Sequence, residues 1–193
     1  RTYEDCEEKA DELSERHNEA MAVSVDVTDE EAVEEMVEQV VERFGKIDVL
    51  VNNAYSASGY GVPFEELTRE EWAETLEGVL TQTFFCSQKA LPAIRESDAG
   101  TIINGGSHYG VVAPDHRVYG DSDINNPPTY GSAKAGVIQF SRWLASYLAS
   151  EGIRVNSISP GGFYSEEMSD VEDYEEVFVP NYEYRTPLGR MGD

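Results

Sequence analysis

Tyr130 and Lys134 stand four residues apart in a stretch of helical patterning, so their side chains share one helix face. A free phenol has a pKa near ~10 and is a poor acid–base group at neutral pH. An ammonium beside it favours the phenolate and brings that value toward the working range. Ser107 supplies a third part, a hydroxyl able to hold a substrate oxygen while the phenol gives or takes its proton. The Tyr–Lys spacing alone is weak evidence. With 11 Tyr and 4 Lys in 193 positions, chance supplies about 0.2 such pairs. His108 follows Ser107 and raises the competing idea of a Ser–His hydrolase. Adjacent side chains on extended backbone point to opposite faces, and no GxSxG elbow is present, which argues against it. His17 and His116 lack partners at ligand spacing and read as structural; no metal site is expected.

The elements that must position these groups alternate between helix and strand. Residues 3–17 read as an acidic helix and Ala22 to Val27 as a strand. Thr28 and Glu31 form a capping-box pattern before a helix with Val33, Met36, Val37, Val40, Val41 and Phe44 on one stripe. Gly45 stops it. Ile47 to Val51 reads as a strand covered on both faces. A small-residue loop follows to Pro63. Thr68 to Glu71 repeats the capping box and opens a long helix toward Arg95, with a disturbance expected at Pro92. Thr101 to Ile103 is a buried-type strand, residues 105–129 a long loop, and about Tyr130 to Ser150 a helix ended by Gly152. Ile153 to Ile158 is the next strand, and everything after Pro160 reads as acidic loop.

This order predicts βαβ units: an α/β fold with a doubly wound parallel sheet, helices on both faces, all 193 residues forming one partial domain. Such sheets bind ligands beyond the carboxyl ends of their strands. Those ends carry Asp26, then Asn52-Asn53-Ala54, then Gly105-Gly106-Ser107, then Pro160-Gly161-Gly162. Small residues let a flat ligand approach the backbone, and the polar ones can hydrogen-bond it. Singly, each also reads as an ordinary turn residue; it is the four together that point to a groove.

Composition sets the outer bounds. A hydrophobic content of 40% spread along the chain suits a globular protein. No apolar run approaches the roughly 18 residues of a membrane span, so no membrane partner is expected. Fourteen Lys+Arg against 38 Asp+Glu give a formal charge of −24. No basic patch exists to neutralise phosphates, which excludes duplex nucleic acid as a partner. Acid on the polar faces of ordinary amphipathic helices suits a salt-rich cytoplasm, a halophilic trait. Cys6 and Cys86 read as thiols in a reducing compartment, so a cytoplasmic location is expected.

Asp26-Val27-Thr28, Asn52-Asn53-Ala54, Ser107, Tyr130-Gly-Ser-Ala-Lys134, Ile153-Arg-Val-Asn156 and Pro160-Gly161 resemble, in order and surroundings, the single-domain short-chain dehydrogenase/reductases. The resemblance covers essentially the whole chain. It implies a Rossmann fold, NAD or NADP as cofactor, and hydride transfer to or from a small-molecule carbonyl or alcohol. By carry-over, Asp26 and Val27 meet the adenine, and Asn52 and Ala54 line the cofactor groove. Tyr130 is the proton donor or acceptor, and Lys134 binds the nicotinamide ribose and lowers the phenol's pKa. Ser107 orients the substrate, and Pro160, Gly161 and Gly162 pack near the nicotinamide. A homo-oligomer, dimer or tetramer, is expected through the helices at 68–95 and 130–150, where Trp143, Leu144 and Tyr147 extend the apolar surface.

The sequence departs from the family pattern in several places. The chain opens at Arg1 without Met, and the Gly-rich first turn and the final segment of the family are absent, which reads as truncation of the first βαβ unit and the C-terminus. Tyr55 stands where the family usually has Gly. The helix-borne Asn of the family should fall near Val79, and none lies there. These losses motivate a second reading, a catalytically silent binding or assembly protein. Ser107 and Tyr130 are 23 positions apart, a longer loop than is common in the family. The loop Asp115 to Pro128, with Asn-Asn-Ala-Tyr55, looks like a subgroup linked to sugar metabolism for surface-polysaccharide and flagellin modification.

Overall fold

A computed structural model describes residues 3–16, 19–122, 124–169 and 171–192. Its centre is a parallel sheet of three strands: β1 (Val49–Asn52), β2 (Thr101–Gly105) and β3 (Arg154–Ile158), in the order β1-β2-β3. Val49 pairs with Thr101 and Thr101 with Arg154, so the three carboxyl ends lie level. Around them run α1 (Tyr3–Arg16), α2 (Glu30–Phe44), α3 (Arg69–Leu76), α4 (Gln82–Arg95), α5 (Pro128–Leu148) and α6 (Val179–Arg185). The alternation of strand and crossover helix is the doubly wound pattern the sequence predicts.

The main core lies where α4 and α5 pack on β2 and β3. Ile94, Ile102 and Leu148 are fully enclosed there, with Ala90, Leu144, Ile153 and Val155 around them. A second cluster of Val79, Ala133 and Val137 joins the chain just before α4 to the first half of α5. That contact sets α5, the helix carrying Tyr130 and Lys134, against the rest of the scaffold. Gly45 and Gly152, at φ 84° and 73°, end α2 and the turn after α5 as expected.

Five expectations need correction. Ala22 to Val27 forms no strand; a strand exists only through ladder hydrogen bonds, and no described segment pairs with it. The cap of α2 is Asp29, whose carboxylate accepts from the Glu31 and Ala32 N–H groups, while Thr28 turns back to Asp26. The helix starts one residue later than the capping-box pattern implies, and a carboxylate suits the positive end of the helix. β1 is not covered on both faces, since Val49 and Val51 are more than half exposed. The helix after Thr68 is disturbed at a π-helical turn, Glu77–Thr81, rather than at Pro92, which sits inside α4. Finally, the stretch after Pro160 is not all loop. It carries a π-helical turn at Tyr174–Phe178 continuous with α6, whose Tyr174, Val177, Phe178 and Tyr182 repeat at helical spacing. Thr68 and Glu71, in contrast, form the reciprocal capping box in full.

Candidate active site

The site is built at the carboxyl end of the sheet, where polar side chains replace the apolar core. Asn52 donates to the Asn104 side-chain carbonyl at 2.8 Å and to Ser87 at 3.0 Å, and Asn104 donates to Ser141 at 2.9 Å. Asn104 is fully buried, so this ladder fixes β1, β2, α4 and α5 with every member partnered. Above it, the chain leaving β2 keeps following β3. The Gly106 N–H donates to the Ile158 carbonyl at 2.8 Å and the His108 N–H to that of Pro160 at 3.1 Å. A Cβ on Gly106 would lie 3.0 Å from the Ile158 carbonyl and 2.9 Å from Ser159 Oγ, so the close approach needs glycine.

This geometry carries Ser107 to the floor of a cleft of about 1280 Å³, on whose walls Tyr130 and Lys134 also lie. The Ser107 Oγ accepts from the Tyr109 N–H at 3.2 Å, which leaves its own proton to donate. Burial pushes the Tyr130 pKa up, and the Ser107 hydroxyl opposes that shift. Lys134 is 5% exposed and donates to the Gly105 carbonyl at 2.7 Å. Burial alone brings its pKa down to about 8. Its Nζ lies 4.9 Å from the Tyr55 ring centroid and 5.7 Å from that of Tyr130, within cation–π range of both.

Ser107, Tyr130, Lys134, Pro160, Gly161 and Gly162 therefore meet in one cleft. Asp26, Val27, Asn52 and Ala54 are not on its walls. Asp26 is exposed and accepts from Thr28, the Asn52 amide is used in the ladder, and the Ala54 carbonyl accepts from Gln82 at 2.6 Å. His108 makes no dyad with Ser107. Its Nδ1 meets the Pro160 carbonyl at 3.1 Å and its Nε2 the Tyr182 hydroxyl at 3.4 Å, while that hydroxyl accepts from the Gly162 N–H at 2.7 Å. His116 stacks edge-on against Tyr119, and His17 lies outside the described residues.

The structure adds wall residues that spacing does not reveal, chiefly Tyr60, Tyr109, Tyr119 and Tyr182. Tyr55, noted in the sequence only as a departure, is set by its loop. The Ser56 N–H donates to the Gly78 carbonyl in the π-helical turn, and the Ser58 N–H to Thr75 Oγ1, each at 2.9 Å. A Cβ on Gly78 would collide with Ser56, so the loop and the turn fit only through that glycine. Val79, where the helix Asn was sought, is buried in the second core cluster instead.

The family model described as Enoyl-(Acyl carrier protein) reductase matches residues 2–193. A 3-oxoacyl-acyl-carrier-protein reductase of Vibrio cholerae is 31% identical over 175 residues, 89% of this chain and 64% of the relative. The chain belongs to the short-chain dehydrogenase/reductase family. Among solved structures, a short-chain dehydrogenase of Leptospira borgpetersenii with bound NAD+ superposes with a TM-score of 0.75 at 37% identity, covering 89% of this chain and 62% of that one. The RhlG/NADP active-site complex of Pseudomonas aeruginosa gives 0.82 at 28% identity over 100% of this chain and 72% of that one. The chain thus spans about two thirds of the length of these short-chain dehydrogenase/reductases.

Proposed function

We propose that the chain is the catalytic part of an NAD(P)-dependent oxidoreductase that interconverts an alcohol and a carbonyl. The observation that supports it best is the meeting of Ser107, Tyr130 and Lys134 on one cleft, in a family whose solved members above hold NAD+ or NADP. The residues present fit the nicotinamide end of such a cofactor. Backbone at Gly161, where a Cβ would meet nothing nearer than 3.7 Å, leaves part of one wall open to a flat ring, and the Lys134 ammonium stands on the same cleft. Asp26 and Val27 are assigned to the adenine end on the resemblance.

When bound, the dinucleotide supplies or accepts the hydride. Ser107 holds the substrate oxygen, with its own Oγ oriented by the Tyr109 N–H. Tyr130 gives its proton to that oxygen in reduction and takes it back in oxidation. Lys134, anchored on Gly105, faces the tyrosine ring and keeps positive charge beside the developing phenolate.

A sugar or other polyhydroxylated substrate is the finer reading from the sequence. Asp121 and Asn126 on the cleft wall provide acceptors suited to hydroxyl groups, which supports it. A homo-oligomer is also proposed: Trp143 and Tyr147 stack at 5.1 Å and both are 57% exposed on α5, although Leu144 is committed to the core. The activity is tested by following nicotinamide absorbance with full-length protein, both coenzymes and a panel of secondary alcohols and their ketones. Coenzyme-dependent turnover is the expected result. Dinucleotide binding without turnover of any member would favour the silent binding protein.

A further inference from the structure

Tyr60 sits at the tip of a turn that its own sequence leaves loose. Gly59 and Gly61 flank it at φ 87° and 75°, and the Val62 N–H closes the turn on the Gly59 carbonyl at 3.3 Å. Glycine gives up more backbone freedom on ordering than any other residue. Such a turn therefore fixes a side chain only when something outside it holds the backbone. Asn125, 64 positions from Gly61 in the chain, does this. Its side-chain carbonyl accepts from the Gly61 N–H at 2.8 Å, and its amide donates to the Val62 carbonyl at 2.9 Å. Only this orientation of the amide satisfies both partners. The segment that carries Asn125 is anchored in turn. Asp115 pairs with Arg185 of α6 at 3.1 Å, and Tyr119, 5% exposed, stacks on Phe178 with ring centroids 5.7 Å apart.

With the turn held, the Tyr60 ring stands 6.4 Å from that of Tyr130, centroid to centroid, and Tyr55 stands 5.8 Å from it. Two rings of one loop thus flank the acid. Tyr60 and Asn125 are both on the cleft wall, whereas the wall at Pro160, Gly161 and Gly162 is the one given to the nicotinamide. The space beside the phenol that Tyr60 fills is therefore taken from the substrate. We infer that Asn125 is a specificity-determining residue: by pinning the turn at 59–62 it holds Tyr60 beside Tyr130, which turns away carbonyls branched next to the reacting carbon. The inference deepens the proposed oxidoreductase reading and rests on it. Admitting or refusing a methyl-sized group changes relative kcat/KM by about 10- to 200-fold, so the effect is large enough to measure.

The test uses full-length protein with reduced coenzyme and two ketones, cyclohexanone and 2,2-dimethylcyclohexanone. The ratio of kcat/KM, branched over unbranched, is expected to rise roughly tenfold in Asn125→Ala and in Tyr60→Ala. The double variant should rise no further than the larger single effect, because Asn125 acts through Tyr60. A ratio unchanged in Asn125→Ala, or two effects that multiply in the double variant, overturns the inference. Hydrogen exchange reads the latch itself: the Gly61 amide should exchange slowly in the parent and fast in Asn125→Ala, and equal exchange also overturns it. If no protein reduces either ketone, the proposed activity is what fails. The inference is then decided by the ratio of the two ketones' affinities, titrated by ligand-detected NMR with coenzyme present. The same rise in Asn125→Ala supports it, and no change overturns it. Should Asn125→Ala fail to fold, Asn125→Asp keeps the acceptor for Gly61 and loses the donor to Val62. A smaller rise in the same ratio is then expected, and none overturns the inference.

Discussion

The Ser107 hydroxyl, on the same cleft as the Tyr130 phenol, is the group that opposes the upward pull of burial on its pKa. The sequence assigns that lowering to Lys134. In the structure the ammonium sits nearer the Tyr55 ring than the Tyr130 ring and spends a donor on Gly105. On the proposed activity serine has two tasks here, holding the substrate oxygen and tuning the acid.

Replacing Ser107 by Ala separates these tasks by their pH signature. Loss of the hydroxyl leaves burial unopposed, so the Tyr130 pKa rises. Alcohol oxidation requires the phenolate, and its rate climbs as pH passes that pKa. The rising limb of the kcat profile should move to more alkaline pH, with kcat/KM down about 10²-fold. A limb that stays in place would assign Ser107 to substrate alone.

Lys134 makes a prediction about stability. Its pKa falls from 10.5 to about 8 on folding. Between these values the unfolded chain binds a proton that the folded chain does not, so stability rises with pH across that window. Below it both states are charged and the burial penalty is full; above it both are neutral and the penalty is gone. Urea unfolding of the parent relative to Lys134→Met should show a positive difference in slope, at most ~1.4 kcal/mol per pH unit. A flat difference from pH 8 to 10.5 would place the ammonium in water.

Gly106 tests the close approach of the β2 and β3 ends. In Gly106→Ala the new methyl meets Ser159 Oγ at 2.9 Å and the Ile158 carbonyl at 3.0 Å. Overpacking against backbone costs about 1–3 kcal/mol. Each kcal/mol lowers Tm by roughly 2–4 °C in a chain of this size. Calorimetry should show that loss, with a fall in activity as Ser107 shifts. An unaltered Tm would mean that the two strand ends are loosely joined.

Much of this arrangement is legible in the sequence because it rests on local chemistry. Apolar runs, the Thr68 capping box and the stops at Gly45 and Gly152 mark most of the elements, and the Tyr130–Lys134 spacing marks one helix face. What stays hidden depends on contacts distant in the chain. Ala22 to Val27 has strand composition, but pairing is a property of two segments. The role of Asn52 in the ladder with Asn104 and Ser141 needs three elements to be assembled. The π-helical turn at Glu77–Thr81 follows from the fit of Ser56 against Gly78, which no periodicity encodes. The helical spacing of Tyr174, Val177, Phe178 and Tyr182 was available to pattern reading, yet acidic residues and Pro180 around it suggest loop.

The central claim is that the Tyr130 phenol moves the proton. Its most direct test is Tyr130→Phe in the full-length protein, with initial rate and dinucleotide affinity measured on the same preparation. The rate should fall by about 10²–10⁴-fold while the dinucleotide Kd stays within about twofold, since the ring remains and only the hydroxyl is lost. A phenylalanine variant that turns over at the parent's rate would contradict the account.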